Sequence, residues 1–399
     1  MRFLDVTSVV SRSNAASHEG NSGVLRLAVT LALALAASWA IATELPRLVS
    51  AHALWDFGAF IASGRAAAQG LDPYGIYPPL TPHVVVPGFE TWNPNLNPPI
   101  SALLFQLFDI AEPRTSLWVW LGISIACYTA AVVLLVQRYT RGMEAILVGI
   151  WAFGLAGFLD ALYLGQIYLP FVLAAVGAWL LLERGENFWS GILIGLLVAM
   201  KPNFLVWPTL LFLSGHRVSP LISFVTAAAI SAVPLAVFGP DIYWRWLTIV
   251  ASDGERAYFL TNASFAGLAA RIGMPAAGVV LSGLLLAGLA AWAYWRRPTV
   301  IRASSFGLLA AVLASPLGWI HYTLFLLPVL LRYWRRSPTW LVAALLIIPA
   351  PYIISQFGEP VWVEFTVGSA YGWALVLFLV VLIADEWRGA ASTPDDFAR

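Results

Sequence analysis

Charge is scarce in this chain. Only 11% of its 399 residues are charged, while 60% are hydrophobic. A soluble globular domain is about 25% charged, so the polar surface that water demands is missing; lipid demands none. Lysine is rarer still, with Lys201 the only one. A formal charge of +1 and the lack of a basic stripe exclude nucleic-acid binding driven by counterion release. Cysteine is equally sparse. Cys127 stands alone in an apolar run, which excludes an internal disulfide and a cysteine metal cage and reads as a packed thiol. There is no low-complexity tract and no long hydrophilic domain, so no soluble module accompanies the membrane part.

What the chain has is apolar runs. A crossing helix needs about 20 mainly apolar residues, and about 17 when short. Candidates lie at 24–44, 115–137, 142–160, 166–183, 187–200, 202–214, 218–238, 277–295, 301–315, 319–334, 338–355 and 369–385. They predict an all-α polytopic membrane protein with about 12 transmembrane helices, a single integral membrane domain over 1–399. The first run resembles a signal peptide with a small-residue cleavage site; we read it as an uncleaved anchor, because the loop after it needs a tethered start.

Arginine sets the orientation. With the N-terminal tail 1–23 in the cytoplasm, alternation brings Arg138, Arg141, Arg184, Arg217, the cluster Arg296, Arg297 and Arg302, and the cluster Arg332, Arg335 and Arg336 to the same side. The C-terminal tail 386–399 joins them, so both termini are cytoplasmic. Arg47, Arg65, Arg114, Lys201, Arg245, Arg256 and Arg271 are left outside. This alternation holds only if the short apolar stretch 98–111 does not cross, and it is read as re-entrant or interfacial.

The outer face then gathers the polar chemistry. Its first loop, 45–114, is the longest non-spanning stretch. It opens with an amphipathic helix at about 52–69, on which Asp56, Phe60 and Ser63 share a face. GLDPYGIYPP and TWNPNLNPP follow, both rich in turn residues. Gln166, Lys201, Asn262, Arg271, Trp319 and His321 come from four further outer elements. Lys201 interrupts an apolar stretch, where a charge costs a few kcal/mol unless it reaches water or a partner. Asp72 and Asp160 read as turn or cap residues, and no His/Asp cluster at ligand spacing points to a metal.

In order along residues 50–335, the pieces WDFGAFIASGRAAAQGLDPYGIYPP, NPPISALLFQLF, GQIYLPF, AMKPNFL, NASFAGLAARIG and SPLGWIHY resemble glycosyltransferase family 87. That family belongs to the C-type superfamily of membrane enzymes that use polyprenyl-phosphate sugars. Two departures stand out: Tyr168 occupies a position where the family usually has Asn, and Ala263 one where Gln is common. Both bear on sugar or acceptor preference. The resemblance implies an inverting transfer of a hexosyl group, mannosyl by analogy, from a polyprenyl-phosphate donor to an envelope glycan or glycolipid. It implies the outer face of a bacterial-type plasma (inner) membrane; the lipid-linked sugar is a substrate, and no cofactor is expected. Asp56 would be the general base, and Lys201 and Arg271 would hold the phosphate leaving group. His321 would bind phosphate or orient the acceptor, and Gln166, Asn262 and Trp319 would contact the sugar. A transporter or lipid flippase is the alternative, though the charges fall at span ends and no inverted repeat is evident. A non-catalytic envelope scaffold is the third reading.

Overall fold

The computed structural model describes residues 6–50, 54–86, 89–109, 111–252 and 254–391, with side chains described from residue 23 to 388. Helix α1 (Val6–Ser50) is long and apolar over most of its length. The segment read as an N-terminal tail is therefore helical from Val6, while residues 1–5 lie outside the described residues. The first loop follows: α2 (Trp55–Ala68), an antiparallel hairpin of β1 (His83–Val86) and β2 (Phe89–Trp92), and α3 (Ile100–Gln106). The hairpin was not expected from the turn-rich sequence. Seven residues make α3 about 10 Å long, far short of a bilayer core of about 30 Å.

The bundle then runs through α4 (Pro113–Tyr139), α5 (Gly142–Phe153), α6 (Ala156–Leu164), α7 (Tyr168–Glu183), α8 (Asn187–Met200), α9 (Val206–Leu213) and α10 (Val218–Phe238). After α11 (Asp241–Ser252) and α12 (Phe265–Arg271) come α13 (Pro275–Arg296), α14 (Val300–Leu313), α15 (Leu327–Arg332), α16 (Ser337–Leu345), α17 (Ala350–Ile354), α18 (Val361–Thr366) and α19 (Ala370–Ala391). The last helix absorbs the start of the segment read as a C-terminal tail, and residues 392–399 lie outside the described residues. Short 3-10 turns at Pro202–Leu205 and Ile320–Leu326 lead into α9 and α15.

Among the described residues, five helices are long and apolar enough to cross a membrane alone, namely the Gly23–Ser50 part of α1, α4, α10, α13 and α19. The α5–α6 pair makes a sixth if its 44° bend is counted as one broken span. The count of about twelve is thus not reached by independent spans. The other apolar runs are helical but shorter, and their neighbours shield them. Helix α7 is buried nearly all round and forms the bundle's axis. On α10 and α13, by contrast, Val225 and Val279 are among many exposed apolar side chains, as lipid-facing helices require. Gly191 and Gly195, four residues apart on α8, let α10 approach closely; a Cβ at Gly191 would lie 2.6 Å from the Ser219 carbonyl oxygen.

Candidate active site

Asp56 sits in the first turn of α2, just after Trp55, whose φ of 43° is left-handed and unusual for a bulky residue. Its carboxylate accepts two side-chain amide hydrogen bonds. Asn93 Nδ2 donates to Oδ1 at 2.5 Å, and Gln166 Nε2 donates to Oδ2. Asn93 follows β2, so the hairpin aims it, and its own oxygen accepts from Arg256 Nη1 at 2.6 Å. Arg256 Nη2 also donates to the Trp92 carbonyl at 2.6 Å, clamping the hairpin's end. The Asn-Pro stretch folds back onto α2 as well, with Asn95 Nδ2 donating to Ser63 and Ser101.

Gln166 reaches Asp56 because Gly165 ends α6 at a φ of 66°. Any Cβ at Gly165 would lie 2.7 Å from Phe57 Cβ, so only glycine permits both the turn and the approach. The Gln166 carbonyl accepts from Trp120 Nε1 at 3.1 Å, whereas its side-chain Oε1 is buried and makes no hydrogen bond. Burial pushes the Asp56 carboxyl up to about 7, aided by the nearby Asp160 charge; Arg256, Asn93 and Lys201 pull the other way.

A second group adjoins the first. Lys201, at the turn after α8, donates to the Tyr322 hydroxyl at 2.5 Å and lies 4.5 Å over the Tyr168 ring. Tyr168 shares a 3.2 Å hydroxyl contact with Tyr322 and donates to Asn97 Oδ1 at 3.3 Å. The His321 ring stacks on Tyr168 with centroids 4.7 Å apart, and its Nδ1 lies 3.6 Å from Asp160 Oδ2. Both His321 ring nitrogens are buried without a hydrogen bond. Asp160 is therefore no surface cap: it is buried inside α6 and faces a histidine. Asp72 does hold a turn, accepting from the Tyr74 amide at 3.0 Å. Among the described residues, no three His, Cys, Asp or Glu side chains are grouped to hold a metal ion.

Two further candidate residues make several hydrogen bonds to the surrounding backbone. Asn262 spends its amide on the Ala257 and Pro316 carbonyls and its oxygen on the amides of Ser264 and Gly318 and the Ser264 hydroxyl. Arg271 is buried and donates to the Phe259 and Asn262 carbonyls and to Ser369. Arg271 thus holds the Phe259–Asn262 turn while its buried Nε makes no hydrogen bond, and Asn262 holds the loop before Ile320. That loop carries Trp319, which forms a β-bridge with Asn262 and packs its ring edge-on against Phe259, 5.9 Å away. So Asp56, Gln166, Lys201 and His321 come together, while Asn262 holds the backbone of Pro316, Gly318 and Trp319 and Arg271 in turn holds the Asn262 carbonyl.

Residue reasoning missed Asn93, Asn97, Arg256 and Tyr322 as parts of this cluster. The Asn-Pro pairs looked like turn starters only, although Asp160 in an apolar run was a legible signal. The fold and site define a helical polytopic membrane protein with a polar cluster assembled from distant segments at one end of its bundle. The model of glycosyltransferase family 87 matches residues 95–317, more than half of the chain, and the chain belongs to that family. It is a membrane glycosyltransferase. The matched segment contains Gln166, Lys201, Asn262 and Arg271; Asp56 precedes it and His321 follows it. No curated protein and no solved structure matches.

Proposed function

We propose that the enzyme transfers a hexosyl group, mannosyl by family analogy, from a polyprenyl-phosphate sugar to an envelope glycan or glycolipid, with inversion. The observation that carries this reading is the pairing of a held carboxylate with the chain's only lysine in one cluster. The acceptor hydroxyl attacks the anomeric carbon, and its proton passes to Asp56. The bond from that carbon to the phosphate oxygen breaks, and its electron pair leaves on the phosphate. Asp56, with a pKa near 7, is a stronger base than an ordinary carboxylate and suits this transfer at neutral pH. Lys201 meets the charge developing on phosphate. Gln166, with an unused acceptor oxygen, and the stacked His321 and Tyr168 supply hydroxyl and ring contacts for the sugar. The phosphate role drawn from the family for Arg271 passes to Lys201 alone.

The short apolar helices support a bundle of about twelve crossings, with both termini in the cytoplasm and this cluster at the outer interface of a bacterial-type inner membrane. A lipid donor would keep its tail in the bilayer and its head beside Lys201.

The test is radiolabelled sugar transfer in membranes from a polyprenyl-phosphate mannose donor. Asp56→Asn is expected to lower the rate by about 10²–10⁴-fold, the usual contribution of a positioned base. Full activity in that variant would remove Asp56 from the role.

A further inference from the structure

The opposite end of the bundle carries a second polar construction. Helix α7 runs about 24 Å from Tyr168 at the candidate site to Glu183 at the far end. There two adjoining cavities of about 630 and 440 Å³ share Arg138, Tyr139, Glu144 and Arg335 as walls. Five arginines line the pair, but only two carboxylates. Both carboxylates are taken: Glu144 pairs with Arg26 at 2.9 Å, and Glu183 pairs with Arg138 at 2.7 Å while also accepting from Tyr139. Arg141, Arg332 and Arg335 remain, and among the described residues none of them makes an ion pair. One further donor is present. Trp334 lines the larger cavity, is 2% exposed, and its buried indole N–H makes no hydrogen bond.

Arginine at this end of a membrane protein is ordinary when it is scattered and solvated. Here Arg332, Arg335 and the buried Trp334 N–H line the larger cavity, Arg141 and Arg335 line the smaller one that adjoins it, and the carboxylates of both are already paired; the three arginines are open to water, so an anion can reach them. Such a donor set is complementary to an anion with several oxygens, and planar guanidinium forks match phosphate in particular. We propose that this recess binds a phosphate group, carried by an anionic lipid headgroup or by a soluble phosphate. The site is independent of the Asp56 chemistry and uses none of its residues.

Purified protein is titrated with phosphatidylglycerol, with phosphatidylcholine and with pyrophosphate, and bound molecules are counted by native mass spectrometry. The test variant is R141Q/R332Q/R335Q, whose arginines make no ion pair among the described residues. The control is R184Q/R217Q/R296Q, three exposed arginines outside the recess. The test variant is expected to bind at least about 10-fold more weakly, given the strength of charge-assisted hydrogen bonds. The control should stay within about 2-fold, because its arginines line neither cavity and act on a bound anion only through screened, longer-range charge. Loss confined to phosphatidylglycerol assigns the site to a lipid headgroup, and loss of pyrophosphate binding assigns it to a soluble anion. Trp334→Phe removes the N–H together with part of the ring packed on Trp151, so it should weaken the same ligand and is read beside the Tm of the variant. The proposal fails if the test variant binds both phosphates like wild type, or if the control loses as much.

Discussion

At the scale of single residues, Asp56 shows how environment sets chemistry. The same carboxylate in water would titrate near 4; here burial and Asp160 raise it to about 7. A base acts when deprotonated, so activity should rise as pH climbs through about 7 and fall below it. A pH profile of kcat/KM checks this. An acid limb near 4 would show that Asp56 is solvated during turnover or is not the base. Lys201 illustrates a different point. Its ammonium is held between two tyrosine rings and a hydroxyl, so a lysine inside an apolar stretch is supported by cation–π and hydrogen-bond contacts without a direct ion pair.

At the scale of elements, the joints matter more than the helices. Gly165 ends α6, begins the approach to α2 and delivers Gln166 to Asp56. Gly165→Ala would place a side chain in the left-handed region, at about 1–2 kcal/mol, and press it on Phe57, at about 1–3 kcal/mol more. A lower Tm in detergent together with reduced transfer is the expected result. Gly149→Ala is the control, since a Cβ there meets nothing within 4 Å. Equal Tm values for both variants would show that the Gly165 turn is not required. The 315–322 segment depends on similar joints: Asn262 and Arg271 hold backbone in place, so that Trp319, His321 and Tyr322 stand where they do.

At the scale of the whole molecule, the two polar ends divide the labour. One gathers an acid, a lysine, a histidine and two tyrosines; the other gathers arginines. The orientation proposed from arginine placement can be checked by cysteine labelling in a Cys127→Ser background. Val85→Cys, on the exposed side of the hairpin, should react with an impermeant maleimide in intact cells. Ser337→Cys, beside the Arg332–Arg336 cluster, should react only after lysis. The reverse pattern would invert the enzyme and move the donor to the cytoplasmic leaflet.

Composition and apolar runs alone determined that this is a helical membrane protein, because a chain with so little charge cannot cover itself in water. Arginine placement and the family resemblance then marked Asp56, Gln166, Lys201, Asn262, Arg271, Trp319 and His321 as one outer-face set, with Lys201 a costly charge inside an apolar stretch. The tertiary structure decided how many helices are long enough to cross unaided, because run length in sequence does not reveal bends such as that between α5 and α6. It also decided which polar residues face one another. Asn93, Asn97, Arg256, Tyr322 and Asp160 join the cluster through contacts between segments far apart in the chain, while Asn262 and the Arg271 Nη atoms bond to nearby backbone and to Ser369. Hydrogen-bond satisfaction is a property of the folded surroundings, and no local spacing encodes it.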